Sequence, residues 1–135
     1  MRRAISFGVR VVWKITALFC LGGAGAILRY ATTGWVQGRI PALFPSGTLA
    51  VNTFGCFLFG LIYAAAEDRF LISSATRGVL LIGFVGAFTT FSSLVFETFS
   101  MLEDRAYTTA LLYFALSHVL GLGSMLLGLA LFKLF

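Results

Sequence analysis

Four apolar stretches, each long enough to cross a lipid bilayer, take up so much of this 135-residue chain that no soluble domain fits in what remains. They run over Ile15–Trp35, Thr48–Ala66, Gly78–Leu102 and Ala106–Phe132. A helix of about 20 residues suffices for roughly 30 Å of hydrocarbon. The connections are short and polar or turn-rich: Gly38-Arg-Ile-Pro41 with Pro45-Ser-Gly47, then Glu67-Asp-Arg69, then Glu103-Asp-Arg105. With 59% hydrophobic and 11% charged residues, a soluble fold of this size could not cover its apolar surface. The chain therefore reads as an all-α integral membrane protein. Residues 1–135 form a single four-helix domain, with residues 1–14 as a basic N-terminal extension.

Four short helices enclose little interior, so a lone subunit is a poor candidate for a sealed polar path. Small residues recur at four-residue spacing in Gly22/Ala26, Gly83/Ala87, Ser117/Gly121 and Ser124/Gly128, a pattern that lets helices approach closely in lipid. Some of that pattern packs one subunit, and the rest leaves a surface for a second copy, so a homodimer is expected.

The net charge of +5 does not point to nucleic acid. Arg2, Arg3, Arg10 and Lys14 precede the first span, where they read as cytoplasmic anchors. Counted by side, Arg2, Arg3, Arg10, Lys14, Arg69, Arg77 and Lys133 face Arg29, Arg39 and Arg105. That asymmetry favours both termini inside; without the first ten residues it nearly vanishes. The basic residues, the apolar Ile15–Leu21 and the small Gly22–Ala26 also have the outline of a secretory signal, but apolar character continuing through Leu28 suits a retained span better. Cys20 and Cys56 lack metal-ligand spacing and read as buried small hydrophobes.

Within the third span, Gly83-Phe-Val-Gly-Ala-Phe-Thr-Thr-Phe-Ser92 is expected to break the helix at mid-membrane. Backbone freed there must find other partners, because an unpaired N–H or C=O in hydrocarbon costs several kcal/mol. Such breaks point to sites that handle ions. Asn52 and Thr48 share a helical face in the second span, and the Asn52 amide suits either an interhelical hydrogen bond or an anion. Arg29 either snorkels to the interface or holds positive potential at a pore mouth. Glu97 is either a solvated carboxylate or part of a polar path with Thr90, Ser93 and Tyr113. His118 reads as a packed, hydrogen-bonded imidazole or, less simply, a proton carrier. The Phe91 ring offers a positive edge to a small anion, and the carbonyls of the break suit an alkali cation. No nucleophile–base pair or phosphate loop points to an enzyme.

These residues resemble a known family, the Fluc fluoride channels, also called CrcB proteins. The resemblance rests on Gly22-Gly-Ala-Gly-Ala-Ile-Leu-Arg-Tyr30, Gly47-Thr-Leu-Ala-Val-Asn52 and the Gly83–Ser92 stretch with Glu97, and it covers nearly the whole chain from Gly22 onwards. It implies an antiparallel, dual-topology homodimer in a bacterial inner membrane, with two pores that passively export cytoplasmic fluoride. Gly86 and Thr89 of both subunits would supply backbone carbonyls to a central structural sodium ion. Phe91 would meet fluoride edge-on, Asn52 would donate to it, and Arg29 would sit at the vestibule. Thr48, Thr90, Ser93, Glu97, Tyr113 and Ser117 would follow the polar track of the pore. Three positions depart from the family pattern: Leu94 replaces a second phenylalanine, Ala87 a second glycine, and Gly121 a second serine. A rival class is the small multidrug-resistance-type proton-coupled cation exporter, which needs an acidic residue in its first span. Here that span carries Arg29 and no carboxylate.

Overall fold

The computed structural model describes residues 2–40, 44–67 and 72–134, and every regular element among them is helical. Four stretches are long and apolar enough to cross a membrane: Val11–Arg39, Ser46–Glu67, Ser74–Glu103 and Tyr107–Leu134. Helix α1 (Arg2–Arg39) has 38 residues, and α2 spans Ser46–Glu67. The third stretch is composite: a short α3 (Ser74–Gly78), a π-helical segment (Val79–Val85), a single turn α4 (Gly86–Phe88) and then α5 (Phe91–Glu103). Helix α6 covers Tyr107–Leu134.

The elements outrun the apolar stretches read from the sequence. No proline interrupts residues 2–39, so α1 takes in both the basic extension and Gly38-Arg39, which the sequence places in a connection. Ser46 and Gly47 are likewise helical rather than part of a turn. The cause is Gln37, whose Oε1 accepts from the Gly47 N–H and the Ser46 hydroxyl, each at 3.2 Å, while its Nε2 donates to the Phe44 carbonyl. That side chain satisfies donors which the first turn of α2 would otherwise leave open. Helix α3 starts earlier than Gly78 because Ser73 caps it, accepting from the Thr76 N–H at 3.1 Å. Between α5 and α6 the chain reverses through Arg105 at φ 58°. Three of the connection residues read above, Pro41, Asp68 and Arg69, lie outside the described residues.

The broadest packing is between α2 and α6, with α1 laid against the π-helical segment and α4. Glycine sets these approaches. A Cβ on Gly60 would run into the Met125 carbonyl, one on Gly128 into the Phe57 carbonyl, and one on Gly25 into the Phe84 carbonyl. The backbones themselves are in contact there, as lipid-embedded helices require when dispersion is the main attraction. Gly128 and Gly83 belong to the pairs of small residues read above, and Gly60, four residues before Ala64, fits the same spacing; Gly25 and Gly47 do not. Spacing along one helix finds small residues, but the crossing point on the neighbour selects which of them touch.

Among the described residues, Tyr113, Phe88 and Val51 are the largest side chains buried almost completely. Leu94, Met101, Ala110 and Tyr113 form a small core, closed by Phe44, Leu49 and Ala106. Much of the outer surface is apolar, with Phe19 81% and Tyr30 84% exposed. Cys20 is exposed too, contrary to the expectation of a buried thiol; Cys56 is partly buried.

Candidate functional site

The candidate site grows from two residues that are not helical. Thr89 (φ −85°, ψ 163°) ends α4, and Thr90 (φ −149°, ψ 120°) precedes α5. Two extended residues inside a helical stretch release backbone groups that helix geometry would have paired. Side chains from α1 and α2 collect them. Asn52 Nδ2 donates to the Thr90 carbonyl at 2.9 Å, and Asn52 Oδ1 accepts from the Thr90 N–H at 2.8 Å. Arg29 Nη1 donates to the Thr89 carbonyl at 3.0 Å. The Thr89 N–H and hydroxyl both turn back to the Val85 carbonyl, at 3.0 Å each. Thr90 restarts the helix as its cap, its hydroxyl accepting from the Ser93 N–H at 3.2 Å and donating to Ser93 Oγ at 3.0 Å.

Arg29 therefore does not snorkel. It lies ten residues before the end of α1 and spends a guanidinium N–H on the interior of the bundle. Asn52 takes the interhelical hydrogen bond read from the sequence, and in a bidentate form that spacing alone does not reveal. Its amide has two N–H groups; one is used on Thr90, which leaves the other to donate elsewhere. Because the Thr90 N–H goes to Asn52, it no longer closes the helical turn on the Gly86 carbonyl.

A second polar cluster lies along the same stretch. Glu97 Oε1 accepts from the Thr48 hydroxyl at 2.7 Å, and Oε2 accepts from the Tyr113 hydroxyl at 2.5 Å. The carboxylate is thus bound on both oxygens rather than being a freely solvated end. Tyr113 is held in place by its burial and by an edge-on contact with Phe44 at 5.4 Å.

Two cavities flank the extended pair. One, about 470 Å³ and mainly apolar, is bordered by Asn52, Thr89, Thr90, Phe91, Leu94 and Ser117, with Cys56 and His118 also on its wall. The other, about 600 Å³, is bordered by Arg29, Thr33, Thr48, Thr90, Ser93 and Glu97. Thr90 is common to both. The residues predicted from the sequence thus fall into two groups meeting at Thr90, while Tyr113 sits behind Glu97 and lines neither cavity. Ser117 is buried, and its hydroxyl has no hydrogen-bond partner. Phe91 is 72% exposed, so within one chain its ring stands at the rim and encloses nothing. Leu94 is buried in the core around Tyr113. His118 donates from Nδ1 to the Phe114 carbonyl at 2.7 Å and packs on the Phe114 ring at 4.2 Å, the hydrogen-bonded imidazole that the sequence favours.

Sequence reasoning missed two supports. Gln37 fixes the start of α2 and so the height of Thr48 and Asn52; a polar amide near the end of an apolar span was the signal. The π-helical segment before Gly86 was also missed, since its i→i+5 pairing, seen in the Gly86 N–H bond to the Leu81 carbonyl, leaves no periodic mark in so short a run. Such wide turns often sit beside functional sites.

Residues 16–129 match the family described as CrcB-like protein, Camphor Resistance (CrcB). A protein of Nitrosococcus oceani named fluoride-specific ion channel FluC is 46% identical over 118 residues, covering 87% of this chain and 94% of that one. A protein of the same name from Solidesulfovibrio magneticus is 42% identical over 121 residues, covering 90% and 97%. One from Nitratidesulfovibrio vulgaris is 40% identical over 116 residues, covering 86% and 94%. With four helices of membrane-crossing length and polar side chains splinting an interrupted third stretch, the chain is an integral membrane protein belonging to the CrcB family.

Proposed function

We propose that this chain is a subunit of a fluoride-selective passive channel that lets fluoride leave the cytoplasm. The observation that carries the reading is the extended pair Thr89–Thr90, splinted by Arg29 and Asn52, with one cavity on each side and Thr90 common to both. The names of the relatives support the ion. Fluoride is small and strongly hydrated, so a narrow path must replace much of its water with donors and ring edges. Arg29 supplies positive potential from the polar cavity. The uncommitted N–H of Asn52 and the unpartnered hydroxyl of Ser117 offer donors to the apolar one, and Phe91 offers a ring edge at its rim. Thr48, Thr90, Ser93 and Glu97 form the polar side of the path, and Tyr113 holds the Glu97 carboxylate from behind. HF enters acidified cells and dissociates inside, so a leak down the fluoride gradient needs no coupling ion and no nucleotide.

The finer assembly is part of the same proposal: two antiparallel copies in a bacterial inner membrane, with a pore on each side. Its support is that one chain leaves Phe91 exposed and encloses no complete path. The central sodium ion of the proposal fits the donors available. The Gly86 carbonyl has lost its usual helical partner, and neutral carbonyl oxygens suit an alkali cation. The Thr89 carbonyl is shared with Arg29, so one chain offers few donors and a second copy is needed to complete the set. When bound, sodium would add fixed positive potential near the path without being transported. A Cβ on Gly86 meets only the Leu81 carbonyl, at 3.4 Å, so the single chain tolerates a larger residue far better than a close contact between copies would. Gly86→Val should therefore weaken the dimer in detergent while leaving the fold intact. Unchanged dimer stability would remove Gly86 from the interface.

Fluoride efflux from liposomes containing the purified protein, with chloride efflux as control, tests the activity. Fast fluoride release with little chloride release is expected. No fluoride release from a reconstituted dimer would reject the reading and bring proton-coupled cation export forward. Against that rival, α1 carries no acidic residue, and the carboxylate within the third stretch, Glu97, is tied to two hydroxyls.

A further inference from the structure

The wall of the apolar cavity, about 470 Å³, carries three side chains that the proposed path does not use: Cys56, His118 and Met125. They come from two helices, which is why no metal-ligand spacing shows in the sequence. The crossing of α2 and α6 brings them together. Cys56 and Gly60 are four residues apart on α2 and lie on one face. A Cβ on Gly60 would run into the Met125 carbonyl, and one on Gly121 would lie 3.5 Å from Cys56 Sγ. The thiol therefore sits opposite Gly121, and Met125 starts one turn farther along α6, about 6 Å on. Long side chains on a helix lean back toward its N-terminus, which turns the Met125 thioether toward the level of the thiol. His118 lies three residues before Gly121 on the same face.

The chemistry of this set is selective. His118 Nδ1 meets the Phe114 carbonyl at 2.7 Å. A carbonyl only accepts, so Nδ1 carries the hydrogen and Nε2 of the neutral ring keeps its lone pair. Metal-binding histidines are held in this way, their other ring nitrogen donating to a backbone carbonyl. Ser117, only 9% exposed, opens on the same cavity with its hydroxyl unpartnered, a second sign that the cavity is shaped for an occupant. Among the described residues no carboxylate lines the cavity, and no three His, Cys, Asp or Glu side chains gather as zinc or a hard cation would need. Thiolate, thioether and imidazole instead suit a soft monovalent ion of the copper(I) or silver(I) kind. Charge points the same way. A monovalent ion that displaces the thiol proton forms a neutral sulfur–metal unit, so no net charge is left in a mainly apolar cavity.

We propose that this cavity is a binding site for a soft monovalent metal ion, with Cys56 as the anionic ligand and Met125 and His118 as neutral ones, and that an ion held there closes the path. In the binding step the S–H bond of Cys56 breaks, a sulfur–metal bond forms, and the proton leaves to the medium. All three ligands belong to one chain, so each copy in an antiparallel dimer carries its own site. Thr90 borders both this cavity and the polar one, which gives the metal an approach from the polar side. Closure rests on the fluoride path proposed above; binding does not.

Silver(I) is the probe, in chloride-free buffer because silver chloride precipitates whereas silver fluoride dissolves. The starting protein is full-length Cys20→Ser, since Cys20 is exposed and would take up silver on its own. Equilibrium dialysis of the purified protein should show one tightly held silver per chain, with one proton released. Cys56→Ser, nearly the same size, should abolish both while eluting as the starting protein does. Met125→Leu and His118→Gln should each weaken binding by about tenfold or more. Absence of tight binding would overturn the proposal. An affinity untouched by Met125→Leu and His118→Gln together would overturn it as well, because it would mean a lone thiol. In liposomes, silver should stop fluoride efflux, dithiothreitol should restore it, and Cys56→Ser should keep its own silver-free rate when silver is added. Efflux that continues with silver bound would refute closure. A starting protein that binds silver but passes no fluoride even without the metal would count against the proposed function alone, since dialysis reads metal and not transport.

Discussion

The α2–α6 contact and the Thr89–Thr90 interruption solve the same problem by opposite means. Between α2 and α6 the helices are continuous, so their backbones satisfy themselves, and attraction comes from removing side chains. Gly60 and Gly128 each place backbone against a carbonyl of the other helix, with Ser124 adding one bond to the Thr53 carbonyl at 2.8 Å. At Thr89–Thr90 the backbone is opened, and long polar side chains from two other helices are required to close the account. The first region tolerates nothing added; the second tolerates nothing removed. What this teaches is that the second region gathers several donors beside the two cavities, because they were brought into the bundle to splint an opened backbone, whereas the first leaves the Thr53 hydroxyl buried without a partner.

The largest expected effect tests the first half of that contrast. Gly128→Val should drive a side chain into the Phe57 carbonyl and separate α2 from α6, at a cost on the order of 3 kcal/mol or more. Denaturation in mixed micelles would measure it, and a variant as stable as the parent would show that the backbones are not held so close. Next is Asn52→Leu, which strips both partners from Thr90. With two interior backbone groups unsatisfied, about 2–4 kcal/mol should be lost. Faster amide exchange around Thr90 than around Gly128 should accompany it, and uniform exchange would erase the distinction between the two regions. Tyr113→Phe removes one of the two bonds to Glu97 while keeping the ring, and should cost about 0.5–1.5 kcal/mol. The smallest change is Gly123→Ala. It lies on α6 with Gly128, yet nothing stands within 4 Å of a new Cβ. It should be neutral or stabilising by up to about 1 kcal/mol through helix propensity; marked destabilisation would mean that α6 packs on that side as well.

Much of the site was legible because membranes penalise polar groups so heavily. Asn52, Thr48, Glu97 and Arg29 stand out in apolar stretches, and each has a partner that explains its presence. The pairing was less legible. Arg29 left two readings, an interfacial cation or positive potential at a pore mouth, with the first favoured because an arginine near a helix end usually is one; that α1 runs on to Arg39, and that the Thr89 carbonyl lies within reach, are facts of tertiary packing. Gln37 was overlooked for the reverse reason, since a single amide near a span end has no pattern to mark it. Phe91 was singled out from its position in the motif, but its exposure at the rim is a consequence of how α5 sits on α6.

By itself the sequence determined that this chain is a bundle of four membrane-crossing stretches, that its third stretch is interrupted around two threonines, and that its basic residues gather before the first span. Those follow from hydropathy, from small and hydroxyl residues at membrane depth, and from charge order, all local quantities. The tertiary structure alone decided which glycines touch, which side chains take the backbone groups of Thr89 and Thr90, and that Arg29 belongs to the interior. Each of those depends on where a neighbouring helix crosses, and crossing points are set by the packing of surfaces that lie far apart in the chain.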